Sequence, residues 1–499
     1  MQPQRVLAVD HFRNTFVLFE QTMQWLRAET GSTTHCQMER ALRDRGFELM
    51  RVMYQGWLEQ RSLEERRQAA GENHEPGLEV RSFGRNLECD FGRVRLSRLG
   101  YQRAGQATEF PLDRELSLPD ESYSLEVRHR VAFEAQRGSW DEVVSTVDRN
   151  SGAHVPKRQA QQLAKRAAQD LEAFYQQSAG SDNDVLSPSA LEVASCDSKG
   201  VTMLKKGLRE ATRKAAEQAQ SQAQTKRADP MATKKQRKHD KRMAIVTANW
   251  EQERQPRTAE QILANLDRQP DAKKPRGPRP QNKRVCASIQ KSQAQGISEM
   301  FDEIERRDRQ RQRTTVVLVD GEENQLEQVQ QQAESRRLTL KIILDLIHVI
   351  HYLWIGAYVL CGKDAVSTEA QVRELLGRLL TGPANYIAAS MRRQATLMNL
   401  TAAEREPVDK CCDYLLKYQD YMHYNEYLAE GLPIATGVIE GACRHLVEDR
   451  MGITGARWDV PGAEAVLRLR AIRCSGDWDE YWQFHERQEL ERNHGSMAA

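Results

Sequence analysis

The chain has no pair of cysteines spaced C-x-x-C; its nine cysteines are odd in number, with one adjacent couple, Cys411 and Cys412. That excludes a zinc ribbon and a disulfide framework, and it fits a reducing compartment. An apolar run approaching the roughly 18 residues of a membrane span is also missing, and the N-terminus has no charged-then-apolar leader pattern. A soluble cytoplasmic protein with no membrane partner is the expectation. Bulk charge is lacking too: 73 basic and 71 acidic residues leave a formal +2, which says nothing about partners. Its distribution says more. Between Lys205 and Val285 stand 22 Lys and Arg against 9 Asp and Glu, a local +13, so the rest of the chain nets −11. A polyanion-binding segment on an acidic scaffold has this asymmetry.

What is present is a set of short apolar runs that end on acids. Thr314-Thr-Val-Val-Leu-Val-Asp320-Gly321 has no polar alternation, so it predicts a buried central strand with Asp320 where that strand leaves the sheet. Leu191-Glu-Val-Ala-Ser-Cys-Asp197 repeats the form. Downstream, Thr436-Gly-Val-Ile-Glu440-Gly puts a third acid in the first turns of a helix, with Thr436 as its expected N-cap. An aspartate after a strand is also an ordinary turn residue, so none of these acids argues alone. Together, three carboxylates from separate elements make a hard, oxygen-only donor set suited to two Mg²⁺ or Mn²⁺ ions. Such a pair serves in-line phosphoryl displacement in nucleases and DNA transposases. No nucleophilic side chain is evident in these motifs. His348 and His351 lack the third and fourth partners that zinc needs, so a structural or supporting histidine is expected.

In chain order, residues 1–75 read as a helical region, with Phe12, Phe16, Phe19, Met23 and Leu26 on one stripe and Phe47, Met50, Met53, Trp57 and Leu58 on another. Residues 76–120 read as a small β segment, whose Arg93, Arg95 and Arg98 are expected on a solvent face. Within 121–180, Asn150-Ser-Gly152 breaks the Trp140, Val143, Val144, Val147 stripe and Pro156 opens a longer helix, the pattern of a helix-turn-helix. Its second helix would expose Lys157, Arg158, Lys165 and Arg166, although helical hairpins with a basic face are common. A linker at 180–189 precedes the Asp197 strand, and a basic insert, 205–285, follows it. Strands at 243–250 and 285–289, then helix and strand alternating past Asp320, give the order of a ribonuclease-H-like fold. That core is expected over 188–354, with a helical insertion over 355–430, a last core part with C-terminal helices over 431–485, and a tail over 486–499.

These residues resemble a known family. Asp197-Ser-Lys-Gly-Val, Leu318-Val-Asp320-Gly, Asp345-x-x-His348, Pro433-Ile-Ala-Thr-Gly-Val-Ile-Glu440-Gly-Ala-Cys-Arg-His-Leu-Val and Ile453-Thr-Gly-Ala-Arg457-Trp458 are similar to bacterial insertion-sequence transposases of the ISKra type, relatives of the Mutator-like DDE transposases. The C-terminal block carries most of the specificity, and the first 70 residues are least covered. Ser198 departs from the glycine expected after the first aspartate.

The resemblance implies an α/β chain: a ribonuclease-H-like catalytic domain with a helical insertion, preceded by a mostly helical region with a helix-turn-helix. It implies Asp197, Asp320 and Glu440 as the catalytic and metal-binding triad, with Asp345 and His348 in support and Arg457 and Trp458 among the DNA-binding residues. The implied partners are double-stranded DNA, as terminal inverted repeats and target, and further copies of the chain, at the bacterial nucleoid. A ribonuclease-H-like nuclease or resolvase without strand transfer, and a transposase-derived DNA-binding regulator, are the alternatives.

Overall fold

The computed structural model describes residues 11–29, 31, 33–71, 77–177, 190–215, 217, 240–266, 278–362 and 364–495. The expected linker and much of the expected basic insert, 218–239 and 267–277, lie outside them. The architecture is mixed α/β and mostly helical, in two compact units, Met1–Gln176 with Trp478–Ala499, and Gln177–Asp477. No helix among the described residues is long and apolar enough to cross a membrane.

In the first unit, α1 (Arg13–Ala28) packs on α2 (His35–Gly71). β1 (Leu78–Cys89) and β2 (Gly92–Arg103) form an antiparallel hairpin. One face of the hairpin closes a core of Leu58, Leu87, Cys89, Val94, Leu96, Leu112 and Leu118, with α3 (Pro111–Glu115) alongside. The period of two explains one departure from expectation. Arg98 shares the inward face of Val94 and Leu96, so it is not on the solvent face with Arg93 and Arg95. It lies instead 2.8 Å from Asp113 and 4.1 Å from the Phe110 ring centre.

Three helices follow, α4 (Leu125–Ala135), α5 (Trp140–Asn150) and α6 (Lys157–Ala167), packed pairwise on one another. A capping box of Ser139 and Glu142 starts α5, and α7 (Leu171–Gln177) completes the run. The end of the chain belongs to this unit, and the expected tail from 486 is a helix, Trp478–His494. Packing accounts for both corrections. Tyr481 and Phe484 lie against Phe174, and fully buried Arg128 meets Glu489 at 2.7 Å and the His485 ring at 3.0 Å. Stopping the helix at Phe484 would leave that guanidinium short of charge partners.

In the second unit, β3 (Leu191–Thr202) pairs antiparallel with β4 (Lys241–Gln252). After α8 (Ala259–Leu266), β5 (Gln281–Ser288) pairs antiparallel with β4. α9 (Gln293–Arg307) leads to β6 (Thr315–Val319), which lies parallel to β3. α10 (Glu323–Ser335) crosses over to β7 (Leu340–Leu344), parallel to β6. The sheet order is β5-β4-β3-β6-β7. All five residues of β6 are buried, as its unbroken apolar run predicts. Helices α11 (Leu346–Leu360), α12 (Ala365–Thr381), α13 (Ala384–Leu397), α14 (Ala402–Lys417) and α15 (Tyr424–Ala429) follow. Then come α16 (Gly437–Ala442), a π-helical turn Cys443–Glu448, α17 (Val460–Ser475) and, in the first unit, α18, the helix Trp478–His494.

A buried charge cluster lies at the start of β3. Arg307 meets Glu303 at 2.6 Å and Glu192 at 3.8 Å, while Arg313 meets Glu251 at 2.7 Å and Glu192 at 4.0 Å. Burial works against the Glu303 carboxylate, but Arg306, Arg284 and Arg307 more than offset it and bring it down to about 2. Glu192 gets only the distant ends of its two arginines, and burial pushes it up to about 8. Between the ordinary carboxylate range and pH about 8 the folded protein therefore keeps a proton that the unfolded chain releases, and stability falls as pH rises. Glu192→Gln should abolish this loss, leaving the variant ahead of wild type by roughly 2–4 kcal/mol more at alkaline than at acidic pH. Urea midpoints with the same pH slope in both proteins would refute it.

Candidate active site

Strand register brings the first acids together. β3 and β6 pair as far as Ser195↔Leu318, and the same offset continued by two residues sets Asp197 level with Asp320. β6 and β7 pair as far as Val319↔Leu344, which sets Asp320 level with Asp345. Asp320 and Asp345 thus follow the carboxyl ends of β6 and β7, and Asp197, within β3, stands level with them, on neighbouring strands about 4.8 Å apart.

The three aspartates are held differently. Asp197 accepts the Ser198 N–H on Oδ1 at 2.5 Å, and the Cys443 thiol lies 3.2 Å from its Oδ2. Ser198, standing where glycine was expected, thus contributes through its backbone. Asp320 accepts the Glu322 N–H on Oδ1 at 2.9 Å, an Asx turn completed by Gly321 at φ +89°. Its own N–H donates to the Gln325 side chain at 3.2 Å, and Gln325 donates to the Cys196 carbonyl at 2.7 Å, tying the end of β6 to β3. Asp345 is buried and committed: it caps α11 through the Ile347 N–H at 2.9 Å and accepts the Thr436 hydroxyl at 2.7 Å. His348 Nδ1 lies 3.4 Å from the same carboxylate.

Thr436 therefore does not cap the Glu440 helix with its side chain as the sequence suggests. Its hydroxyl turns to Asp345 and donates to that carboxylate, and this bond anchors the start of α16 beside β7. From α16, the exposed Glu440 faces the same charges. Burial and then Asp345 raise its pKa, against His348; Asp197 raises it further and Lys199 opposes. Burial raises Asp320 as well; the Glu322 N–H and His348 work against this, and Asp197 adds to it. His348 is raised first by its hydrogen bond to Asp345, against burial, and then by the charges of Asp345, Asp320 and Asp197. Asp197, Asp320, Glu440, Asp345 and His348 thus share one electrostatic neighbourhood. It carries negative charge in excess of its one histidine.

That donor set fits divalent cations. Asp197, Asp320 and Glu440 offer oxygen ligands only, and at Asp320 and Glu440 burial first, and neighbouring carboxylate charge after it, raises the carboxyl pKa, a cost that a bound cation would offset. Their oxygens are not drawn within 4.8 Å of one another. Among the described residues Asp170, His485 and Glu489 are that close, but both ring nitrogens of His485 are taken by Asp170 and Arg128.

The residues expected to contact DNA differ in exposure. On α6, Lys157 and Arg158 are exposed, Lys165 is half-buried, and Arg166 is exposed and paired with Glu121. Lys157 reaches Asp141 at 2.7 Å. Arg457 is exposed, but Trp458 is only 4% exposed, its ring under the Arg450 guanidinium at 4.7 Å. The Trp458 N–H donates to the Thr202 carbonyl at 3.2 Å, extending the edge of β3. Trp458 is a core residue with no face to offer DNA, which corrects its expected role. Sequence reading missed Gln325 and Tyr414, whose hydroxyl donates to the Asp320 carbonyl at 2.9 Å. Tyr414 belongs to an aromatic-rich stretch that was visible, but no periodic signal marks either residue.

No protein-family model matches the sequence, and neither does any curated protein. Among solved structures, the Drosophila P element transposase strand transfer complex aligns over 79% of this chain and 84% of its own, at 10% identity and a TM-score of 0.24.

The Asp320 turn yields a direct test. A Cβ at Gly321 would lie 2.9 Å from the Tyr414 hydroxyl and 3.2 Å from a Leu344 methyl, at a φ that disfavours side chains. Gly321→Ala should cost about 1–3 kcal/mol in urea denaturation; a loss below a few tenths would mean that the turn is not held as described.

Proposed function

We propose that the protein is a DNA transposase that binds the terminal inverted repeats of an insertion sequence, cleaves its ends and joins them to target DNA. The observation that supports this reading is the electrostatic neighbourhood that Asp197, Asp320 and Glu440 share, with Asp197 and Asp320 level on the adjacent strands β3 and β6. An antiparallel three-strand meander continued by two parallel strands is the ribonuclease-H-like arrangement, and it supports assigning the ISKra-type resemblance to this chain. The helices between β7 and α16 take the place of the insertion that Mutator-like enzymes carry before their glutamate.

Two Mg²⁺ or Mn²⁺ ions held by the triad would supply an activated oxygen nucleophile and stabilise the departing oxygen. The chain's own residues orient the ligands. Asp345 fixes the beginnings of α11 and α16, and so sets where His348 and Glu440 stand relative to the strand ends. Gln325 holds β3 and β6 level at the site. His348, whose pKa is raised by its hydrogen bond to Asp345 and then by the surrounding acids, would offer positive charge beside a bound phosphodiester when protonated. In the first unit, α4 to α6 would act as a helix-turn-helix, with α6 as its reading helix, and Arg457, in the second unit, would add a further contact. Transposition further calls for a dimer or higher assembly on the paired ends.

Asp197→Asn, Asp320→Asn and Glu440→Gln keep shape but lose the charge that holds a cation. Each should lower Mg²⁺-dependent cleavage of an end-bearing duplex by about a thousandfold or more while leaving end binding largely intact, and Ca²⁺ should not support turnover. Near-normal cleavage by Glu440→Gln would move the third ligand elsewhere. Specific footprinting on the terminal repeats would separate a transposase from a nuclease of the same fold, and metal-dependent cleavage would separate it from a DNA-binding regulator.

Replacing Lys157, Arg158, Lys165 and Arg166 together with Ala should weaken end binding by about 1–3 kcal/mol for each base-reading position and lower its salt dependence. Unchanged affinity for the ends would remove α6 from the interface.

A further inference from the structure

The helices inserted between β7 and Glu440 grip the two strand ends that carry Asp320 and Asp345. Tyr414, on α14, donates its hydroxyl to the carbonyl of Asp320 at 2.9 Å. Tyr424, at the start of α15, donates to the carbonyl of Leu344, the residue before Asp345, at 2.8 Å. The first of these carbonyls lies just past the last ladder pair of β6 with β7, Val319↔Leu344, and the second belongs to that pair's own residue. Both tyrosines act at the place where the sheet stops holding the chain. Tyr414 also stacks on Tyr352 of α11, ring centres 3.8 Å apart and planes within 11°. Since α11 begins at the Asp345 cap and carries His348, one aromatic pair links the Asp320 turn to the helix of the supporting acid and histidine. Burial raises the pKa of both hydroxyls, so each stays a donor over the working pH range.

We propose that the helical insertion sets the spacing of the acid cluster, with Tyr414 and Tyr424 as positioning residues that fix the peptide planes from which Asp320 and Asp345 project. A carboxylate on a short side chain follows its own peptide. Tying the Asp320 carbonyl stops that peptide from rotating, and a rotation of tens of degrees would swing the carboxylate away from Asp197 and Glu440. Neither tyrosine touches the reacting atoms. The inference rests on the metal-dependent reading above and deepens it.

The test is Mn²⁺ binding to the full chain without DNA, followed by water-proton relaxation, in wild type, Asp320→Asn, Tyr414→Phe, Tyr424→Phe and Tyr352→Phe. Tyr414→Phe keeps the stacked ring and deletes only the donor. Its Mn²⁺ dissociation constant should rise about tenfold, the lower end of what lost support around metal ligands costs, with little change in melting temperature. Tyr424→Phe should act in the same direction, and Tyr352→Phe, which keeps both the stack and the Tyr414 hydroxyl, should bind as wild type. Wild-type Mn²⁺ affinity in both Tyr414→Phe and Tyr424→Phe, with affinity lost in Asp320→Asn, overturns the positioning role alone. Weakening shared by Tyr352→Phe in proportion to lost thermal stability overturns it too. Binding unchanged in Asp320→Asn overturns the metal-centre reading and this inference with it.

Discussion

The constraint on which the site depends is the parallel register of β3, β6 and β7. Parallel ladders advance evenly, so neighbouring strands held in register bring residues at the same height to one rim. Here an aspartate follows β6 and another follows β7, and the third lies on β3 at the same level. The remaining parts of the neighbourhood are attached to that rim: Thr436 and the Glu440 helix through Asp345, His348 through the cap of α11, and the inserted helices through Tyr414 and Tyr424. A central position in the sheet buries β6 on both faces, and the same burial raises the pKa of the aspartate at its end. Fold and electrostatics have a common origin.

Much of this was legible in the sequence. The apolar run before Asp320, the matching run before Asp197, and the alternation of helix and strand beyond them fall where the strands and helices lie, because buried parallel strands cannot hide their composition. The three helices after Leu125 were legible from stripes and from the Asn150-Ser-Gly152 break. Thr436 was misread because its neighbours look like a helix start, while the competing acceptor, Asp345, is 91 residues away. Trp458 was misread because a tryptophan beside an arginine suits a nucleic-acid surface and a core edge equally well. Its burial under the Arg450 guanidinium, beside the end of β3, decides between them. Gln325 and Tyr414 are ordinary residues on helices, and their roles arise from long-range contacts that no local pattern records. The end of the chain was taken for a tail because its charged residues hide a helix whose partners, Arg128 and Asp170, lie more than 300 residues earlier.

The inserted helices also change how the acid triad is to be understood. The sequence separates Asp320 from Glu440 by 119 residues, and a separation of that size usually reads as tolerance for extra chain. The tyrosine bonds give that intervening segment a share in the placement of the acids on both sides of it. A helical domain that both spaces and braces is harder to shorten than one that only spaces.

The buried charges at the opposite end of β3 add a final consequence. A strand with an apolar inner face can slide by two residues and still present that face to the core. On β3 such a slide would draw Glu192 away from Arg307 and Arg313 and seat an alkyl side chain among four guanidinium groups and two remaining carboxylates. Glu192 costs stability while seated, and its approach to Arg307 and Arg313 belongs to this register. Asp197, five residues along the same strand, takes its height at the rim from that register.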